Sequence, residues 1–143
     1  MKSAILSASL FALAMTAASA SPIEEREAFM KQNGRLLGAV APVVKGEQPF
    51  DAAQVLAALE AFNDNAQKFD ADAMFPKGSE GGEAAPAIWS DRAGFEAAIE
   101  DYKEAAAAAM ESAPQDVETL RASFGRIGGS CADCHQTYRI KKN

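Results

Sequence analysis

VETLRASFGRIGGSCADCHQTY, residues 117–138, carries apolar or small side chains at alternating intervals of three and four residues from end to end. Such intervals return to the same face of an α-helix at each turn, so they predict a helix with one core-facing stripe. The stripe consists of Val117, Leu120, Phe124, Ile127, Cys131, Cys134 and Tyr138. A stripe of this kind is typical of a helix in an antiparallel bundle, and this one includes both cysteines of the chain.

The first of three preceding helical segments begins at Pro22. Ser21 and Glu24 have the spacing of a capping box, and proline suits the first helical position. We expect Pro42 to kink or end this helix, and Gly46 closes the segment. Its inward positions, read at heptad spacing, are Ile23, Arg26, Met30, Asn33, Leu37, Val40 and Val44. Two of those positions are therefore polar.

The other two segments complete the pattern. Asp51 is the expected cap of the second helix, and the third runs from about residue 90 to 112. Their apolar faces are Val55, Leu59, Phe62, Ala66 and Phe69 in the second and Phe95, Ile99, Tyr102, Ala106 and Ala109 in the third. A long loop over residues 70–86 joins them. The sequence thus predicts an all-α, antiparallel four-helix bundle.

The first 20 residues have the pattern of a secretory signal. Lys2 precedes an apolar run, which closes on the small residues Ala18-Ser19-Ala20. We expect cleavage after Ala20, one mature domain over residues 21–143, and a periplasmic location. The formal net charge of −6, with no basic block, argues against nucleic acid and anionic membranes as partners.

Cys131, Cys134 and the only histidine, His135, share one helix face. Cys-x-x-Cys-His is the attachment signature of haem c: two thioethers hold the porphyrin, and the imidazole is an axial ligand of the iron. A thioredoxin-like pair would normally follow a strand, a zinc site needs four ligands, and a local disulfide leaves the histidine unexplained. The three glycines at 125, 128 and 129 suggest that a flat group approaches this helix.

The second axial position of the iron is the open question. With one histidine, bis-histidine ligation is impossible, and Met30 is the methionine at an inward position. If Met30 binds iron, the haem is low-spin and transfers electrons. If it does not, the site is open to a small gas, and an apolar lining favours NO or CO over O₂. The expected lining is Phe29, Met30, Leu37 and Phe62, and an inward Asn33 or Gln32 would weaken this expectation.

The chain resembles cytochrome c′, the class II c-type cytochromes of the bacterial periplasm. The similar stretches are REAFMKQNGRLLG, PVVKGEQPFDAAQ, GSEGGEAAPAIWSD and FGRIGGSCADCHQTYR, and the resemblance extends over residues 22–143. It implies a four-helix bundle with haem c covalently attached to the C-terminal helix and often a homodimer through the first two helices. It also implies a five-coordinate, high-spin iron that binds NO and CO.

The resemblance further implies roles for individual residues. Cys131 and Cys134 hold the haem, and His135 is its proximal ligand. The residues implied at the haem edge are Arg26 and Glu27 on the first helix, with Arg26 on a propionate, Ser79 and Glu80 in the loop, and Arg139 on the proximal side. Met30 falls at the distal position, where the family does not ligate the resting iron.

These observations predict a binding protein and not an enzyme. The first hypothesis is a periplasmic protein that binds or detoxifies NO, with electron transfer to an unknown redox partner as a further role. The second is a low-spin His/Met electron-transfer cytochrome on the same bundle. The third is a colourless bundle with a Cys131–Cys134 disulfide.

Overall fold

The computed structural model describes residues 20–140, so the predicted signal peptide lies, apart from Ala20, outside the described residues. The helices are α1 (Pro22–Lys45), α2 (Ala52–Ala66), α3 (Ala71–Met74), α4 (Ala87–Ser90), α5 (Arg92–Glu111) and α6 (Val117–Tyr138). Extended pairing within residues 20–140 is limited to an isolated antiparallel bridge between Ala84 and Arg139.

The four long helices pack in a ring. α1 packs on α2, α2 on α5, α5 on α6, and α6 returns to α1, with the closest association between α5 and α6. The short helix α3 lies against α1, and α4 lies against α5 and α6. The predicted four-helix bundle is confirmed. No helix in the described part of the chain is long and apolar enough to cross a lipid bilayer.

The ends of α1 confirm one expectation and correct another. Ser21 Oγ accepts from Glu24 N at 3.3 Å, and Ser21 N donates to Glu24 Oε2 at 2.8 Å, which is the predicted capping box. The helix does not end at Pro42 but continues to Lys45, and Gly46 stops it with φ 77°. Proline removes only one hydrogen bond, and Val43 in the last turn is buried in the core. Glycine then adopts the left-handed conformation without steric strain.

The connection between α2 and α5 contains more helix than expected. Residues 70–86 were predicted as a loop, but Asp70 accepts from Asp72 N and Ala73 N at 2.9 Å each and caps the single turn of α3. Asp91 caps α5 in the same way by accepting from Gly94 N at 3.2 Å. Side-chain caps therefore order a segment in which the apolar periodicity is too short to predict a helix.

The predicted apolar faces form the core. In α2 and α5 every expected position is buried, and in α6 Leu120, Ile127 and Tyr138 are buried while Phe124 and the two cysteines are partly buried. Aromatic rings fill the end of the bundle nearest the long connection. Their closest centroid distances are 4.9 Å for Phe29–Phe69, 4.9 Å for Phe75–Phe95 and 5.1 Å for Phe95–Tyr138. The last turn of α6 is thus anchored in this aromatic cluster.

Candidate functional site

α6 presents the three residues of the Cys-x-x-Cys-His motif on one side of an unbroken helix. Cys131, Cys134 and His135 are each partly buried, so they border the core and still face outward. Both cysteines are free thiols. In residues 20–140 no three His, Cys, Asp or Glu side chains converge to hold a metal ion directly, so the zinc hypothesis gains no support.

Burial controls the protonation of these groups. It raises the pKa of the Cys131 thiol, and burial followed by the neighbouring Cys131 raises the pKa of Cys134 to about 11. Burial lowers the pKa of His135, Arg139 lowers it further, and Glu83 opposes the shift. At neutral pH the site therefore holds two uncharged thiols and a neutral imidazole, and the neutral imidazole is the form that ligates a metal.

The glycines before the motif leave its surface open. Gly128 precedes His135 by two helical turns and so lies on nearly the same face. A Cβ atom added at Gly125, Gly128 or Gly129 would meet nothing within 4 Å. The three glycines therefore leave open space beside α6 for the flat group that the sequence suggested. The open face, the paired thiols and the neutral imidazole together fit a covalently attached haem.

Arg26 is buried at 5% exposure, as its inward heptad position predicts. Its Nη2 donates to Ser79 O at 2.9 Å and to Gly81 O at 2.8 Å, and its Nη1 donates to Ser79 Oγ at 3.3 Å and to Met74 O at 3.4 Å. The guanidinium also lies over the Phe75 ring, 5.0 Å from its centroid. The structure thus brings two predicted site residues, Arg26 and Ser79, together. Here the Arg26 donors hold the loop in place.

Two carboxylates accompany the buried guanidinium. Burial lowers the pKa of Arg26, and Glu27 and Glu80 oppose that change. Both glutamates are exposed, and Glu80 accepts from Gly78 N at 3.4 Å. A Cβ atom at Gly82, where φ is 62°, would lie 3.2 Å from Glu27 Oε1. The positive φ favours glycine at this position, and the missing side chain lets the loop approach the start of α1 closely.

The other side of the same loop is attached to the end of α6. Arg139 Nη2 and Nε contact Glu83 Oε2 at 2.6 and 2.7 Å, and Arg139 N donates to His135 O at 3.3 Å. Backbone bonds from Ala85 N to Tyr138 O (3.0 Å) and from Ile140 N to Glu83 O (2.8 Å) reinforce the contact. Residues 79–85 therefore connect the Arg26 group with the α6 group. Glu83 could not be predicted as a site residue from the sequence, because nothing in an acidic, glycine-rich loop indicates which carboxylate forms an ion pair.

The inward face of α1 contains a second buried polar residue, Asn33. Phe29 and Phe62 are buried and Leu37 is partly buried, as predicted, but Asn33 is also buried, at 8% exposure. Its Oδ1 accepts from Tyr102 Oη at 3.0 Å and from Asn65 Nδ2 at 2.6 Å, and its Nδ2 lies 4.0 Å from the partly buried Met30 Sδ. Asn33 thus turns inward, which is the condition that weakens the expectation of an apolar lining. Nothing in the spacing of α2 indicated Asn65 as a partner.

Comparison with known proteins agrees with this geometry. A sequence model of the family described as Cytochrome C′ matches residues 21–139. The chain is 43% identical over 124 residues to cytochrome c-556 of Agrobacterium fabrum, across 86% of this chain and 84% of that protein. It is 43% identical over 109 residues to cytochrome c′ of Alcaligenes xylosoxydans xylosoxydans, across 73% of this chain and 82% of that protein.

A solved structure supports the same assignment. A nitric oxide complex of a mutant cytochrome c prime from Alcaligenes xylosoxidans superposes with a TM-score of 0.76 at 36% identity, across 84% of this chain and 94% of that chain. The bundle, the Cys-x-x-Cys-His motif and these matches agree over nearly the whole described range. The chain belongs to the cytochrome c′ family, whose members carry covalently attached haem c.

Proposed function

We propose that this protein is a periplasmic haem c protein with a five-coordinate, high-spin iron that binds NO and CO. In this proposal Cys131 and Cys134 form the thioethers, and His135 is the proximal ligand. The protein binds a gas and does not turn over a substrate. The single observation that carries the proposal is the open face of α6, on which two free thiols and the only histidine of the chain lie together.

When bound, haem c supplies an iron with an axial position available to a diatomic gas. The residues of the chain determine how that site is bounded. Arg26 keeps a positive charge beside Ser79, which would attract a propionate, while its Nη atoms donate to the loop. Glu27 and Glu80 stabilise that charge from the exposed side. Arg139 and Glu83 fix the chain directly after His135.

The nitric oxide complex of the Alcaligenes xylosoxidans homologue supports the gas-binding part of the proposal. Export and a homodimer through α1 and α2 are further parts of it. Intact mass of the secreted protein gives the cleavage site, for which we expect Ser21 at the N-terminus. Light scattering at several concentrations gives the oligomeric state.

Absorption spectra test the cofactor and its ligands. We expect a Soret band, a high-spin oxidised spectrum, and NO and CO binding by the reduced protein at micromolar gas concentrations. Cys131→Ser combined with Cys134→Ser should leave no thioether, so acid–acetone should extract the pigment and mass spectrometry should show the chain without the haem mass. Ser130→Ala, one residue earlier in α6, is the control and should keep the pigment as tightly as the wild type. A reduced protein that binds neither gas contradicts the proposal.

A low-spin electron-transfer cytochrome is the second candidate. The observation in its favour is that the Met30 thioether is partly buried on the inward side of α1. Under this candidate function, the oxidised wild type would show a sulfur-to-iron charge-transfer band. Met30→Ala would remove that band, and Met110→Ala would leave it intact. Methionine 110 is the matched control because it is also partly buried and also faces an asparagine amide, that of Asn63. A high-spin wild-type spectrum without that band excludes this candidate.

A further inference from the structure

Three polar side chains from three different helices meet inside the bundle. Asn33 lies on α1, Asn65 on α2 and Tyr102 on α5, and both Asn33 and Tyr102 are buried, at 8% and 6% exposure. Asn33 Oδ1 accepts from Asn65 Nδ2 at 2.6 Å and from Tyr102 Oη at 3.0 Å. Burying a polar group costs free energy unless the group forms hydrogen bonds. Here the Asn33 amide oxygen accepts two hydrogen bonds.

These two donors fix the orientation of the Asn33 amide. Rotating the amide by half a turn would place its NH₂ group against the NH₂ group of Asn65, and two donors would then oppose each other. With Asn65 Nδ2 and Tyr102 Oη donating, the Asn33 Nδ2 points the other way. In that direction it lies 4.0 Å from the sulfur of Met30, three residues earlier on the same helix. The network thus ends on the Met30 thioether.

The same network lies next to the haem-binding helix. Burial raises the pKa of the Tyr102 hydroxyl, and the neighbouring Cys131 thiol raises it further. The aromatic ring of Tyr102 also meets Phe62 edge to face at 5.8 Å between centroids. Contacts therefore run from Tyr102 through Asn33 to Met30.

We propose that Asn33 is a positioning residue that holds the Met30 thioether in one orientation, with a sulfur lone pair directed at an amide N–H and not at the iron. This inference rests on the proposed function, in which Met30 lies on the side of the haem opposite His135. Tyr102 and Asn65 act through Asn33 by fixing its amide. The choice between an open and a sulfur-ligated iron is then made by a side chain that contacts neither the iron nor the gas.

Asn33→Leu tests the inference in the haem-loaded protein. Freed from the amide, the Met30 sulfur competes for the iron, so the low-spin fraction of the oxidised spectrum rises. CO association with the reduced protein slows by about fivefold, the factor that corresponds to one hydrogen bond of about 1 kcal/mol. Tyr102→Phe, which removes one of the two donors and keeps the ring, should produce a smaller change in the same direction.

Asn63→Leu is the matched control. Asn63 Nδ2 on α2 donates to Met110 Sδ on α5 at 3.6 Å. This is the same kind of amide–thioether contact as that between Asn33 and Met30. The control variant should lose stability like Asn33→Leu and keep the wild-type spectrum and CO rate. In a Met30→Leu background, Asn33→Leu should no longer slow CO association, because the competing sulfur is gone.

The outcomes separate the inference from the proposed function. If the wild type binds CO and Asn33→Leu matches it in spectrum and rate, the inference is wrong and the proposed function stands. Equal changes in the spectrum and the CO association rate of Asn33→Leu and Asn63→Leu also overturn the inference. If the wild type binds neither gas, the proposed function fails. A low-spin wild-type spectrum with the sulfur-to-iron band, lost in Met30→Ala, then overturns the inference too, because Met30 binds the iron. Without that band, methyl relaxation of ¹³C-labelled Met30 decides the inference, which requires a more mobile methyl group in Asn33→Leu than in the wild type.

Discussion

Arg26 and Asn33, the two polar residues on the inward stripe of α1, form hydrogen bonds with different parts of the protein. Arg26 donates to the loop around Ser79 and Gly81, whereas Asn33 binds side chains of α2 and α5. Heptad spacing predicted that both positions face inward. It could not predict their partners, because those lie 32 to 69 residues away in sequence for Asn33 and about 50 for Arg26. Residue-scale chemistry here is set by tertiary contacts.

Arg26→Lys should destabilise the protein by about 1–3 kcal/mol, because one ammonium replaces a planar fork that serves several acceptors and leaves buried carbonyls without a donor. Urea unfolding of the haem-loaded protein measures the change. Arg35→Lys is the control: Arg35 is exposed and contacts Gln32 on its own helix, so its substitution should change stability by less than about 0.5 kcal/mol. Equal losses in the two variants would contradict the structural role of Arg26.

At the scale of elements, the contact between the start of α5 and the last turn of α6 depends on the side chain that caps α5. Asp91 Oδ1 accepts from Gly94 N, and Asp91 Oδ2 accepts from Tyr138 Oη at 2.9 Å. One carboxylate therefore both begins α5 and holds the last turn of α6. A Cβ atom at Gly94 would collide with the Asp91 carboxylate and the Tyr138 hydroxyl. The glycine is required for this close approach and not for its backbone conformation.

Gly94→Ala should therefore lower the free energy of unfolding by about 1–2 kcal/mol, although alanine is the better helix former. Thermal unfolding followed by circular dichroism measures it. Gly38→Ala in the middle of α1 is the control, because a Cβ atom there meets nothing within 4 Å. It should raise stability by about 0.5–1 kcal/mol. A stabilising Gly94→Ala would show that the Asp91–Tyr138 contact contributes nothing.

The sequence predicted elements well where apolar spacing was long and poorly where it was interrupted. The stripe of α5 was correct at every position because tertiary packing and helical period agree over five turns. Of the two outcomes expected at Pro42, a kink or an end, the end was wrong, since burial of the following valine outweighs one lost hydrogen bond. The helix α3 was missed because a single turn has no period. Cys131, Cys134 and His135 could be predicted because their spacing is local, whereas the Glu83–Arg139 pair joins residues far apart.

At the scale of the whole molecule, the acidic residues have a structural pattern. Aspartates cap four of the helices in residues 20–140, namely Asp51, Asp70, Asp91 and Asp116. Negative charge at a helix N-terminus interacts favourably with the helix dipole. Carboxylates that give the chain its net charge of −6 thus also begin its helices. Through one of these caps, Asp116, the stability of the bundle is linked to acid pH.

Asp116 allows that link to be measured. Hydrogen bonds from Thr119 lower the pKa of the Asp116 carboxyl below its ordinary value of 3.8. A lowered pKa in the folded state means that the carboxylate stabilises the fold above about pH 4 and that this contribution is lost as pH falls further. The stability difference between the wild type and Asp116→Asn should therefore shrink between about pH 4 and pH 2.

Thermal midpoints across that pH range provide the measurement. Gln115→Ala, at an exposed neighbour that does not titrate, is the control and should differ from the wild type by the same amount throughout. A difference for Asp116→Asn that does not vary with pH would contradict the assigned role of the carboxylate.

The order of the helices has a consequence for biogenesis under the proposed function. The thioether-forming helix is α6, so the other three long helices leave the ribosome and cross the membrane before it. Pigment can then be acquired only by polypeptides that have been synthesised through His135, and interrupted translation products stay colourless. The ratio of Soret absorbance to total secreted chain accordingly sets a lower limit on the fraction of chains whose synthesis was completed.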